Sequence, residues 1–449
     1  MAHEFPGYTP GSMLSAGGAS RRRFLKLMGA SMAMAGLTLT GCRRWPKEHL
    51  APYSTNPAGR MPGVPEQYAT AWEFGGVAQP LLVTSYDGRP IKIEGNPSHP
   101  GSWTVKGKLG SADAFAQATV LEMYDPDRSR EFLDRSTDKV KVWHWEGFSE
   151  KAGEHFGKMK GNGAGFAILS EATTSPSVLD MKKRLLAAFP QAKWYEYEPL
   201  SRDAEMEGSK RAFGKPVRSV LHLDKASAVV LFDADLLGTH PAHVRYAGDW
   251  AERRRSADHG EMNRVYIAET CFSITGTVAD VRLPVHPGRI DALVRALAKR
   301  VGVAGVSGDE KLSKDEEAFV DAAASDLKGA GGAGVVSVGP AASVEAVALS
   351  HAINQQLGAV GKCVTLIDEP AGDRSSHFAA IAELVKQMTA GKVDTLLILG
   401  GNPAYDAPAD LDFANALKSV KASIRLGLYD DETSKLCKWH IPRAHYLES

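Results

Sequence analysis

Ala228-Val229-Val230-Leu231-Phe232 is an unbroken apolar pentapeptide, and it decides the fold class. A strand with one face in water alternates apolar and polar residues, whereas a strand covered on both faces does not. This run therefore predicts a parallel strand sandwiched between helices. Its neighbours agree. Phe166-Ala167-Ile168-Leu169 and Trp194–Tyr197 predict two strands upstream. A helix over Val178–Phe189 separates them, with Leu179, Met181, Leu185 and Leu186 on one face. Val265–Ala268 predicts a fourth strand, after a polar helix at Ala242–Arg255.

The alternation then restarts. Ile290–Val301 is helical, and the Gly/Ala-rich Lys328–Gly334 reads as a linker or tight turn. Val335–Val338, Val364–Ile367, Thr395–Leu399 and Ser423–Leu428 read as strands; Ser343–Leu357 and Ile381–Met388 read as helices. Alternating strands and helices imply an α/β fold with helices on both sheet faces. Two successive sets predict two doubly wound α/β domains, 140–327 and 328–449, the second incomplete at its end. Ligands in such folds sit at the carboxyl ends of the strands.

Ahead of them lies a small β-rich segment, 80–139. Pro80–Tyr86 and Arg89–Glu94 flank an Asp87-Gly88 step, the signature of a hairpin turn. Residues 43–79 begin with a stretch carrying five prolines between 43 and 70, which predicts an extended lead-in.

Lys plus Arg and Asp plus Glu number 53 each, so the basic excess of a nucleic-acid binder is missing. Residues 1–42 read as a leader. Arg21 and Arg22, followed by Phe24, Leu25 and Lys26, resemble a twin-arginine export signal, and Leu39-Thr40-Gly41-Cys42 resembles a lipobox. The alternative, a transmembrane helix, fails on length: Leu27–Gly41 falls short of the roughly 20 residues a span needs. Export of a folded protein to the periplasmic face of the inner membrane, anchored by acylated Cys42, is the expectation. The other cysteines, Cys271, Cys363 and Cys437, are odd in number and read as small, mostly buried side chains.

Five segments, in order, resemble the molybdopterin oxidoreductase superfamily. They are Asp87–Pro100 (DGRPIKIEGNPSHP), Tyr124–Arg128 (YDPDR), Ala279–Gly288 (ADVRLPVHPG), Leu399–Tyr405 (LGGNPAY), and Asp431-Glu432-Thr433 with His440-Ile441-Pro442. Together with Glu4-Phe5-Pro6 and the extended leader, they resemble the first half of the large iron–sulfur subunit of alternative complex III, a quinol-oxidising respiratory complex. That resemblance implies a chain with no molybdenum cofactor of its own. It further implies iron–sulfur clusters in a C-terminal half beyond Ser449, and a fragment, a split gene or an early stop as the reason this chain ends there. The implied partners are a ferredoxin-like iron–sulfur half or subunit, integral membrane quinol-binding subunits and a multi-haem cytochrome c, with no nucleic acid.

The residues themselves bear on the cofactors. A four-cysteine cluster near the Asp87 hairpin cannot be built, because no cysteine lies between Cys42 and Cys271. A hydroxyl metal ligand at Ser170, Thr173, Thr174 or Ser175 stays open beside their reading as helix caps. Through the resemblance, Thr239 and His240, with Asn402 of the Gly-Asn-Pro turn, are candidates for a vestigial cofactor pocket. For 238–243 the alternative is a helix start capped by Thr239. Cys437, His440 and His445 have zinc-like spacing, but a strand at His440 would turn neighbouring residues to opposite faces. No catalytic residue is assigned. The expected role is a cofactor-free scaffold in a quinol:acceptor oxidoreductase. The alternatives are an active molybdenum oxidoreductase of the polysulfide- or thiosulfate-reductase type, and a two-lobed solute-binding lipoprotein.

Overall fold

In the computed structural model, the described residues are 61–449 apart from 62, 100, 101, 103–109, 160, 256–261, 308, 309, 371 and 373. Arg21, Arg22 and Cys42, and most of the lead-in, lie outside them.

Three antiparallel strands come first: β1 (Glu66–Phe74), β2 (Val77–Tyr86) and β3 (Arg89–Gly95). Asp87 and Gly88 both have positive φ, 52° and 82°, the geometry of a two-residue hairpin turn. β1 corrects the expectation of an extended lead-in to residue 79. The prolines stop at Pro65, and all nine residues of Glu66–Phe74, with Tyr68, Thr70 and Trp72 in alternation, then pair with β2. Trp72 packs on Leu81, Val83, Ile93 and Ala116, the last from helix Ala114–Met123.

The remaining strands are β4 (Phe132–Asp134), β5 (Lys141–Trp143), β6 (Phe166–Ser170), β7 (Lys193–Glu196), β8 (Val217–Leu221), β9 (Ala228–Phe232), β10 (Arg264–Glu269), β11 (Val281–Pro284), β12 (Gly334–Val338), β13 (Val364–Asp368), β14 (Thr395–Leu399), β15 (Ala422–Gly427) and β16 (Trp439–Pro442). One sheet is parallel, in the order β11-β10-β9-β12. All five residues of β9 are buried, as its apolar run requires. Helices Ile290–Val301 and Lys314–Ala330 cover one face with Leu293, Leu297, Phe319, Val320 and Leu327. The other sheet has seven strands in the order β5-β4-β16-β15-β14-β6-β7, parallel from β16 to β7, with β4 and β5 antiparallel.

Two doubly wound sheets are thus present, but they do not divide at residue 328. β12 pairs with β9, and β14 pairs with β6. The strands at both sheet centres are buried on both faces and take whichever neighbour completes the ladder, regardless of distance along the chain. Other local differences follow from packing. Lys328–Ala330 is the last turn of helix Lys314–Ala330, which Ser313 and Glu316 start with a reciprocal capping box. β13 joins neither parallel sheet and pairs antiparallel with β8. Met181 points to solvent at 55% exposure while Leu185 and Leu186 pack on Phe166 and Ile168. Cys271 is exposed; Cys363 and Cys437 are buried. Among the described residues no helix is long and apolar enough to cross a membrane.

In each sheet the strand order reverses direction at one place. From β6 the chain runs outward to β7, while from β14 it runs the other way to β15 and β16. From β9 it runs to β10 and β11, with β12 on the opposite side. Such reversals leave a crevice outside the carboxyl ends of the two central strands.

Candidate functional site

A cleft lies beyond these strand ends. It encloses about 1300 Å³, part of it open to solvent. Its wall takes Ala172, Thr173 and Thr174 from the end of β6, and Glu196 and Glu198 from the end of β7. Ala234, Asp235 and Leu236 after β9 and Val338, Gly339 and Pro340 after β12 complete it from the other sheet. Gly75 and Gly76, at the tip of the β1–β2 hairpin, reach the same wall. They also line an adjoining cavity of about 1050 Å³ (Gly75) or lie against Ala172 (Gly76).

The end of β9 is tightly bonded. Asp233 has φ 51° and accepts from the Thr270 amide and hydroxyl at 3.0 Å each. Asp235 accepts from the Thr239 amide, and from the Thr275 amide and hydroxyl at 3.1 and 2.7 Å. Gly339 has no room for a Cβ, which would meet the Asp233 carbonyl oxygen. These carboxylates fix loops.

The end of β6 is different. Burial, with Glu171 and Asp406 nearby, pushes the Glu198 carboxyl up to about 7. Burial also raises Asp406, with Glu171 adding to it. Thr173 and Thr174 do not cap the following helix; both donate to Glu73 of β1. Ser175 stands at the N-cap position of helix Pro176–Ala188 without a capping bond, so its expected role as a cap fails. Ser170 accepts from the Trp194 indole at 2.9 Å.

Guanidinium groups could hold an anionic cofactor, but each one on this wall has a carboxylate of the chain. Arg202 pairs with Glu205, Arg218 with Glu369 at 2.6 Å, and Arg374 with Asp203 at 2.7 Å. Burial opposes the charge on Asp203, yet the bonds from Arg374 and Ser201 hold its carboxyl below the ordinary range. No cysteine lines the cleft. Among the described residues no group of three or more His, Cys, Asp or Glu side chains could hold a metal ion. The residues on this wall do not fit a phosphate-bearing pterin with a thiolate-held metal.

The candidates from the sequence scatter. Thr239 and His240 do line the cleft. Burial, reinforced by Arg202, keeps His240 well below its ordinary pKa and hence neutral. Thr239 is no helix cap: the helix starts at His243, and the His240 ring nitrogen accepts from the Ala242 amide. Asn402 is elsewhere, accepting from Thr433 at 2.7 Å and donating to Glu432 at 2.8 Å. Cys437 is buried, and His440 is held between Ser434 and Ser129 at 2.9 and 2.7 Å. His445 faces Glu122 at 3.3 Å. Glu73, Glu198 and Arg218 escaped notice in the sequence. Their only signal is position: each follows, or pairs with a residue that follows, the end of an apolar strand.

No family model matches the chain. It is 25% identical over 414 residues to the menaquinone reductase, molybdopterin-binding-like subunit of Nitratidesulfovibrio vulgaris strain Hildenborough, covering 82% of this chain and 57% of that protein. Its structure superposes on acetylene hydratase from Pelobacter acetylenicus with a TM-score of 0.59 at 12% identity, covering 83% of this chain and 62% of the hydratase. The chain thus spans less than two thirds of either protein. Sequence relationship and doubly wound architecture together make this chain molybdopterin oxidoreductase-like.

Proposed function

We propose that this chain is the cofactor-free, molybdopterin oxidoreductase-like scaffold of a membrane-associated quinone or quinol oxidoreductase complex, of the alternative complex III kind. The observation that carries the reading is the cleft wall. Where an active relative needs cations for phosphates and a side chain for the metal, each guanidinium on this wall is paired internally and the described lining residues include no thiol. The relationship to a menaquinone reductase subunit supports the quinone side of the proposal.

Redox centres then belong to other polypeptide: a ferredoxin-like iron–sulfur half or subunit, integral membrane quinone-binding subunits and a multi-haem cytochrome c. The leader, with Arg21, Arg22 and Cys42, supports export of the folded chain and lipid anchoring at the periplasmic face. Metal analysis of protein matured in its native host tests the central claim. Molybdenum well below stoichiometric amounts is expected, and one molybdenum per chain would overturn it. Mass spectrometry of the mature N-terminus tests the anchor, which requires an acylated Cys42.

A further inference from the structure

The β1–β2 hairpin reaches the cleft wall from outside the two large sheets. Its last β1 residue but one, Glu73, extends its carboxylate onto the turn between β6 and helix Pro176–Ala188. One oxygen accepts from the Thr173 hydroxyl at 2.8 Å; the other accepts from the Thr174 amide and, at 3.3 Å, the Thr174 hydroxyl. Beyond it the chain turns at Gly75 and Gly76, with φ 56° and 74°. The Gly76 carbonyl then accepts from Arg218 at 3.5 Å, and a Cβ at Gly76 would rest on Ala172.

The position of this carboxylate is telling. A strand–turn–helix connection beside the reversal of strand order is where doubly wound proteins seat anionic ligands, using amide and hydroxyl donors ahead of a helix N-terminus. Here those donors are taken by the chain's own anion. The helix behind them has no side-chain cap at Ser175.

We infer that the β1–β2 hairpin is a built-in occupant of the cleft, with the Glu73 carboxylate in the seat that a phosphate would take. This rests on the cofactor-free reading and explains how the cleft keeps its shape without a cofactor. The hairpin fills the mouth, Glu73 satisfies the β6 turn, and Glu369 neutralises Arg218 beside the hairpin tip.

Glu73→Ala should empty the seat. The test uses the full chain below pH 7, where Glu198 is protonated, with inorganic pyrophosphate as the probe and calorimetry as the readout. No measurable binding is expected for the native protein, and measurable binding at least tenfold tighter than the native detection limit for the variant. Hydrogen exchange at the Thr174 amide should rise at least tenfold, with β9 and β12 unchanged as a control on folding. Unchanged Thr174 exchange would overturn the inference, and so would faster exchange without pyrophosphate binding, or equal binding by the native protein. If Glu73→Ala does not fold, Glu73→Gln keeps the shape without the charge; a gain of at least threefold is then expected, and none would overturn the inference. Stoichiometric molybdenum in native protein would sink the cofactor-free reading by itself, whereas failure of the pyrophosphate test leaves that reading standing.

Discussion

The two parallel sheets meet the same cleft and finish differently there. Beyond β9 and β12, Asp233 and Asp235 are bonded to Thr270, Thr275 and Thr239, and Gly339 closes against the backbone. Beyond β6 and β14, Glu171, Glu198 and Asp406 crowd one another, and Glu198 is driven up to about 7. The first crevice is closed by hydrogen bonds among residues that follow neighbouring strands of one sheet. The second holds carboxylates that raise one another and takes Glu73 from the hairpin, with Arg425 of β15 bonding the turn after β14. One end is closed from within its own sheet, and the other takes a carboxylate from outside it.

Four substitutions probe that contrast. Arg425 is buried among the Gly400 and Gly401 carbonyls and the Asp431 carboxylate, bonding Gly400 at 2.6 Å and Asp431 at 2.8 Å. Arg425→Ala strands that carboxylate and should lower unfolding free energy by about 3–5 kcal/mol in urea titration. A loss under about 1 kcal/mol would mean the β14 turn does not need its support from β15. Asp235→Ala leaves the Thr239 and Thr275 amides without acceptors and should destabilise by about 2–3 kcal/mol. A neutral result would show that the β9 end is not closed by its own bonds.

Glu198 tests the raised carboxyl directly. Its folded-state carboxyl titrates at about 7 rather than at its ordinary 4.5, chiefly through burial and then through Glu171. A raised carboxyl means the folded state holds the proton more tightly than the unfolded one, so this group's effect makes stability fall as pH climbs from about 4.5 to about 7. Glu198→Gln removes that fall and should stabilise by about 2 kcal/mol at pH 8, discounted for partial exposure, and by little at pH 4. Thermal melts at the two pH values give the answer, and an equal effect at both would refute the raised carboxyl. Smallest is Tyr446→Phe. Its hydroxyl meets Thr119 at 2.6 Å and ties the hairpin sheet's helix to the last residues of the chain. A loss of about 1 kcal/mol is expected, with faster exchange in β1–β3 and none in β9. Uniform change across both regions would erase the contrast.

What the sequence makes legible follows the same division. β9, β10, β12 and helix Ile290–Val301 are readable because each is a short apolar or periodic run. The pairing of β6 with β14 is not, because register between remote strands depends on tertiary packing. β1 is masked by the proline-rich stretch before it, although its residues alternate. Helix Lys314–Ala330 was available from its Ser-x-x-Glu start and from Phe319, Val320, Ala323 and Leu327, but the Gly/Ala run after it looks like a linker. At the site, Thr239 and His240 could be placed by resemblance to a family. Glu73 could not, because nothing in Trp72-Glu73-Phe74 says that its carboxylate will reach a turn one hundred residues later.

The strand β6 is made early and finds its central neighbour β14 more than two hundred residues later. At ribosomal speeds of roughly 5–20 residues per second, that is a wait of about 10–40 s. Throughout it, Phe166–Ser170 offers an apolar edge with no lasting ladder on one side, the kind of surface that recruits other chains or a chaperone. Synthesis that halts between the two strands leaves this edge unmatched for good. The order of strands in one sheet therefore sets a period of vulnerability in the life of the nascent chain, and it closes only as the last strands emerge.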